Sequence, residues 1–208
     1  MDFVTEAFTP AFMQRALVGS LLAVVATSLV GTWVVLRGLA FLGDALAHGV
    51  IPGVALAILW GFDPLIGAFV AALVMSGLVT FVSNRTAMRD DTAIGLLFVG
   101  MLSLGVVIVS QAQSFATDVT AILFGDSLGV SRSDIRTQLI AVSFVVICMV
   151  LLHRPFIALA FNEVKATTLG MRPKLAQAAL LALLALSIVT SFQTIGTLLV
   201  FGLIVAPP

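Results

Sequence analysis

LVGSLLAVVATSLVGTWVVL, residues Leu17–Leu36, runs for twenty positions without a charge. At about 1.5 Å of rise per residue, such a run crosses a hydrocarbon core of about 30 Å as a helix. The pattern recurs along the chain. Of its 208 residues, 61% are hydrophobic and 10% charged, a balance that a water-exposed domain does not show, so a lipid bilayer is the expected solvent. Apolar runs between polar breaks predict helices over Ala11–Leu36, Leu39–Trp60, Pro64–Val82, Ala93–Ser110, Ile135–Leu152 and Pro173–Ser191, with a seventh starting near Ile195. The fold class is therefore all-α: a polytopic integral membrane protein with about seven hydrophobic helices. The last run reaches Pro208 while still hydrophobic, and the expectation is one transmembrane domain over 1–208 that is incomplete at its C-terminus.

The few charges set the expected orientation. Arg85 and Arg89 form one basic cluster, and His153, Arg154, Lys165, Arg172 and Lys174 form another. The positive-inside bias assigns both to the cytoplasm, and the two crossings between them make the assignments agree. Counting back, Arg37 lies inside and the N-terminus outside, with Trp60 at the outer interface and Trp33 near the inner one. Asp2 and Glu6 precede the first arginine, unlike the basic start of a signal peptide, so the first helix is expected to be retained. The net charge is zero and no polybasic run is present, which argues against a nucleic-acid partner. Cys148 is the single cysteine, too few for a disulfide or a cysteine metal cluster within the chain.

Asp44 and His48 stand i, i+4 within the second span, on one helix face. Ionisable groups at that depth cost a few kcal/mol each and are commonly kept for transport, proton relay or ligand binding. Aspartate oxygen with neutral imidazole nitrogen suits zinc, manganese or iron. Two ligands do not close a site, but a two-fold partner would bring the count to four. The alternative is a pair that bonds only to itself and fixes helix packing. Gly49, Pro52 and Gly53 continue the region; they read equally as a kink beside a pathway or as close helix packing.

Two segments lie between spans. Residues 111–134 are too short and too mixed to cross and return, and are expected to form a short outer-side helix or re-entrant piece, with Ser131 capping the next span. Residues 161–173 read as a short separate helix: Asn162 as N-cap, Glu163 at the positive end, Gly170 as C-cap, and Pro173 opening the next span. It is either a docking helix for a grooved partner or an ordinary loop helix.

GTWVVLRGLAFLGDALAHGVIPGVA, Gly31–Ala55, resembles the membrane permeases of ATP-binding-cassette importers for manganese and zinc. Shorter matches follow in order: Asp91-Thr92-Ala93-Ile94-Gly95, Leu123-Phe124-Gly125-Asp126, the Ala166–Gly170 segment, and Gly196-Thr197-Leu198-Leu199-Val200 leading into Ala206-Pro207. The resemblance implies a permease subunit that receives a divalent ion, zinc, manganese or iron, from an extracytoplasmic metal-binding protein. Asp44 and His48 match the family's metal positions. Residues 161–173, with Asn162, Glu163, Ala166 and Gly170, match its coupling helix for an ATP-binding-cassette ATPase subunit. It further implies a second permease chain, as homo- or heterodimer, in the inner or plasma membrane. The segment around Phe124 to Val130 would face the binding protein. Asn162 stands where such permeases often carry aspartate.

The chain has no Gly-x-x-x-x-Gly-Lys-Ser/Thr loop, so ATP hydrolysis is assigned to the partner rather than to this chain, which is read as no enzyme. The metal is cargo, and no permanently bound cofactor is expected. The competing reading is a gradient-driven secondary transporter in which Asp44 and His48 relay protons or ions. An intramembrane protease is disfavoured because neither His-Glu-x-x-His nor Gly-x-Ser-x-Gly occurs.

Overall fold

A computed structural model describes residues 10–85, 90–111, 130–161, 167 and 172–205. These form helices α1 (Ala11–Leu36), α2 (Ala40–Gly49), α3 (Ile51–Trp60), α4 (Pro64–Arg85), α5 (Asp90–Ser110), α6 (Arg132–Leu151), α7 (His153–Phe161) and α8 (Pro173–Val205). Among the described residues six spans are long and apolar enough to cross a membrane: Ala11–Leu36, Ala40–Trp60, Pro64–Ser83, Asp91–Ser110, Arg132–Leu151 and Pro173–Phe192. The all-helical, multi-span class expected from composition is the one observed.

Local chemistry explains the boundaries. Gly38 takes φ 69° after α1, and the Leu39 amide then donates to the Val34 carbonyl at 2.9 Å; a left-handed glycine closes the helix so that the chain can turn straight into α2. Asp63 Oδ1 accepts from the Leu65 amide at 2.8 Å, beside Pro64 at the start of α4. Ser131 caps α6 as expected: its hydroxyl accepts from the Asp134 amide and its own amide donates to Asp134 Oδ2. That box starts α6 at Arg132, three residues before the apolar run at Ile135.

Small residues set the helix crossings. A Cβ built on Gly53 would run into the Gly67 carbonyl, and one on Gly67 into the Gly53 carbonyl, so α3 and α4 touch backbone to backbone. In lipid, where apolar burial drives little helix association, such close approach is a main source of packing energy.

The core is organised around α8, whose Leu180, Leu181, Leu184 and Ile188 are fully buried. Its Leu181 and Ala182 share a cleft with Arg85 at the end of α4, whereas Val189 and Thr190 share one with Leu65 and Thr137, at the starts of α4 and α6. Thr194 then meets Gly19, early in α1, while Ile204 packs on Gly31, much later in α1. A straight helix could not do both, because ten further residues would carry it about 15 Å out of the bundle. The helical run therefore turns back beyond Phe192 and descends alongside α1. The expected seventh segment from Ile195 is this returning arm, which α8 includes. Threonines at the turn bond back to their own helix, Thr190 to the Leu186 carbonyl and Thr194 to the Ser191 carbonyl, a habit that bends helices.

Gln138 is the largest buried polar side chain among the described residues, 2% exposed. Its Nε2 donates to the Gly19 carbonyl at 3.1 Å and reaches Thr194 Oγ1 at 3.4 Å, tying α6 to α1 and α8. Gln138→Leu keeps the volume and removes the tie. The expected loss is about 1 kcal/mol, the usual scale for interhelical bonds in membranes, read as a lowered unfolding midpoint in detergent.

Candidate metal site

Asp44 and His48 lie together on α2, with Nε2 of the histidine 3.5 Å from Oδ1 of the aspartate. Hydrogen bonds of this type usually measure about 2.7–3.2 Å, so the pair is side by side without a strong mutual bond. The neighbouring Leu42, Ala45, Leu46 and Ala47 are buried. Against that background the histidine and aspartate side chains keep 22% and 26% of their surface open. The packing face of α2 is turned inward and the two ionisable groups are turned to the edge.

The surroundings are apolar and built by three helices. The Phe98 ring of α5 stands edge-on to His48 with centroids 6.0 Å apart, and also contacts Phe41 at 5.9 Å. Ile204 of the returning arm packs on Gly43, where an added Cβ would sit 3.2 Å from its Cγ2. The arm thus seats against the residue that precedes Asp44. Among the described residues no group of three or more His, Cys, Asp or Glu side chains could hold a metal; Asp44 and His48 stand on this face as a pair.

At Gly49, Pro52 and Gly53 the structure has a helix break and close packing. The helix breaks at Val50 between α2 and α3, because Pro52 has no amide to offer the His48 carbonyl one turn back. The glycines pack: Gly49 lies on the Met75 sulfur, and Gly53 on Gly67. Asn162, Glu163, Ala166 and Gly170 lie outside the described residues, as do positions 112–129 of the outer segment. Sequence reasoning missed Phe98, since one aromatic among the apolar residues of α5 carries no signal of which helix it will face. It also left Arg37 as an orientation marker, although its guanidinium reaches Leu159 122 positions away.

A multi-span helical bundle with an acid and an imidazole open at the edge of a span carries the kind of intramembrane groups commonly kept for transport or ligand binding. The chain belongs to the ABC 3 transport family, which it matches over residues 9–208. It is thus a multi-pass membrane permease whose ATPase is a separate subunit. Over 196 residues it is 36% identical to the manganese import system permease protein ScaB of Streptococcus parasanguinis, covering 94% of this chain and 70% of that protein. Over 206 residues it is 32% identical to the chelated iron transport system membrane protein YfeD of Yersinia pestis, covering 99% and 69%. Among solved structures, PsaBC from Streptococcus pneumoniae in complex with Fab is similar with a TM-score of 0.83 and 30% identity, over 98% of this chain and 73% of that one.

Proposed function

We propose that this chain is the translocation subunit of an ATP-driven importer of divalent manganese or iron. Asp44 and His48 of two permease chains, facing each other across a two-fold axis, would hold one ion in transit. The observation that carries the reading is the open edge of α2, where an oxygen and a nitrogen ligand 3.5 Å apart share one face. A carboxylate and imidazole facing lipid would be costly; facing a second chain and a cation, they become half of a four-ligand site. Asp and His suit manganese, iron and zinc alike. The names of the relatives favour the first two.

An extracytoplasmic binding protein delivers the ion at the outer side, the N-terminus being outside. The ion stops between the two Asp44–His48 pairs. Closure of the ATPase subunits, received by residues 161–173, switches access to the cytoplasm. Four ligands of mixed hardness, left open between two chains, would bind weakly enough to release, as conduction requires.

The test is reconstitution in liposomes of the permease with its ATPase and binding protein, followed with manganese(II) and iron(II). Uptake is expected only with Mg-ATP inside the nucleotide-accessible compartment. Uptake driven by an ion gradient without ATP or the ATPase would overturn the reading in favour of a secondary transporter.

A further inference from the structure

We propose that Arg37 is the positioning residue through which movement of the cytoplasmic segment reaches the Asp44–His48 face; this rests on the importer reading above. Arg37 is the C-cap of α1, and its Nη1 donates to the Leu159 carbonyl at 3.1 Å. Leu159 lies near the C-terminal bound of α7, and a backbone carbonyl has two lone pairs, so it can accept from a guanidinium. A guanidinium there makes a charge-assisted bond, stronger than a neutral one. Two ring contacts seat α7 against α1 on the same side: Trp33 meets His153 edge-on at 5.6 Å and Phe156 at 5.7 Å. Phe156 is 1% exposed, so α7 has an anchored end and an arginine-held end.

The two ends of this contact lead to different parts of the machine. On one side, α7 runs directly in sequence into residues 162–170, the proposed ATPase-docking segment. On the other, Arg37 is followed at once by Gly38 in the left-handed region and by α2, which carries Asp44 two turns further on. A shift of α7 therefore pulls on the residue at the root of α2. The left-handed glycine turn between them lets α2 swing without unwinding α1. In a passive tie the arginine would hold α7 and nothing more.

The experiment uses the complete reconstituted complex, comparing wild type with Arg37→Gln and Arg37→Lys for metal uptake, ATP hydrolysis and metal binding by the permease pair. Arg37→Gln is expected to keep ATP hydrolysis and metal binding while the metal moved per ATP falls at least about fivefold, the lower end of ordinary coupling energies. Arg37→Lys, which can still donate one charged bond, should recover most of that ratio. A wild-type ratio in Arg37→Gln overturns the proposal, and so does a lysine variant as uncoupled as the glutamine. Should Arg37→Gln fail to assemble, Phe156→Leu loosens the same contact from the α7 side. A wild-type ratio in that variant also overturns it. Failure of the wild-type complex to import metal would count against the importer reading instead.

Discussion

Asp44→Ala and His48→Ala should each reduce metal uptake by more than the roughly 10–100-fold that losing an outer-shell partner costs a metal site, while expression and complex assembly persist. In the proposed two-fold site each substitution would remove two of four ligands, since a pair of identical chains carries every change twice. The loss of a charged carboxylate should also raise the stability of the span, because an ionisable group at membrane depth costs a few kcal/mol. Reduced transport with unchanged or improved folding is a combination that a purely structural pair would not produce. If the two residues served only packing, alanine at either position would lower the unfolding midpoint and leave uptake per folded complex alone. Radioactive or isotopic manganese uptake, normalised to complex recovered, separates the two outcomes.

Gly53→Ala should destabilise the bundle by about 1–3 kcal/mol, the range for overpacking a tight contact. The new methyl meets the Gly67 carbonyl and, at 2.5 Å, Ala71 Cβ. Neither is the free end of a flexible chain, so α3 and α4 must separate along their length. Alanine's better helix propensity, worth about 0.8–1.0 kcal/mol over glycine, offsets only part of this. Gly77→Ala in α4 is the matched control, for nothing lies within 4 Å of its added Cβ; it should be neutral or slightly stabilising. Thermal unfolding in detergent is expected to place Gly53→Ala below wild type and Gly77→Ala at or above it. Equal midpoints for the two variants would contradict the close-crossing account.

Much of this architecture is legible in the sequence because a bilayer allows few solutions. Twenty uncharged residues such as Leu17–Leu36 become a helix, since every backbone group must be satisfied within the segment. Ser131 with Asp134, and Gly38 after Leu36, mark ends through chemistry local to a few residues. The Asp44–His48 pair is legible for the same reason, a helical spacing that puts both on one face. What the sequence does not disclose depends on which helix meets which. The return of the arm to Gly31 and Gly43 is set by missing Cβ atoms on α1 and α2, and glycine is too common in membrane helices for that use to be read in advance. Gln138 and Arg37 acquire their partners, Gly19 and Leu159, from remote parts of the chain. A polar residue in an apolar run announces that it needs a partner, never which one.

The proposed pathway shares one ion between two permease chains. Titration of manganese(II) against the purified, assembled permease pair, followed by the electron paramagnetic resonance of free and bound metal, tests it most directly. The account predicts one bound ion per two permease chains, with coupling to imidazole nitrogen, and loss of that binding in Asp44→Ala. One ion per chain, or binding that survives Asp44→Ala unchanged, would contradict it.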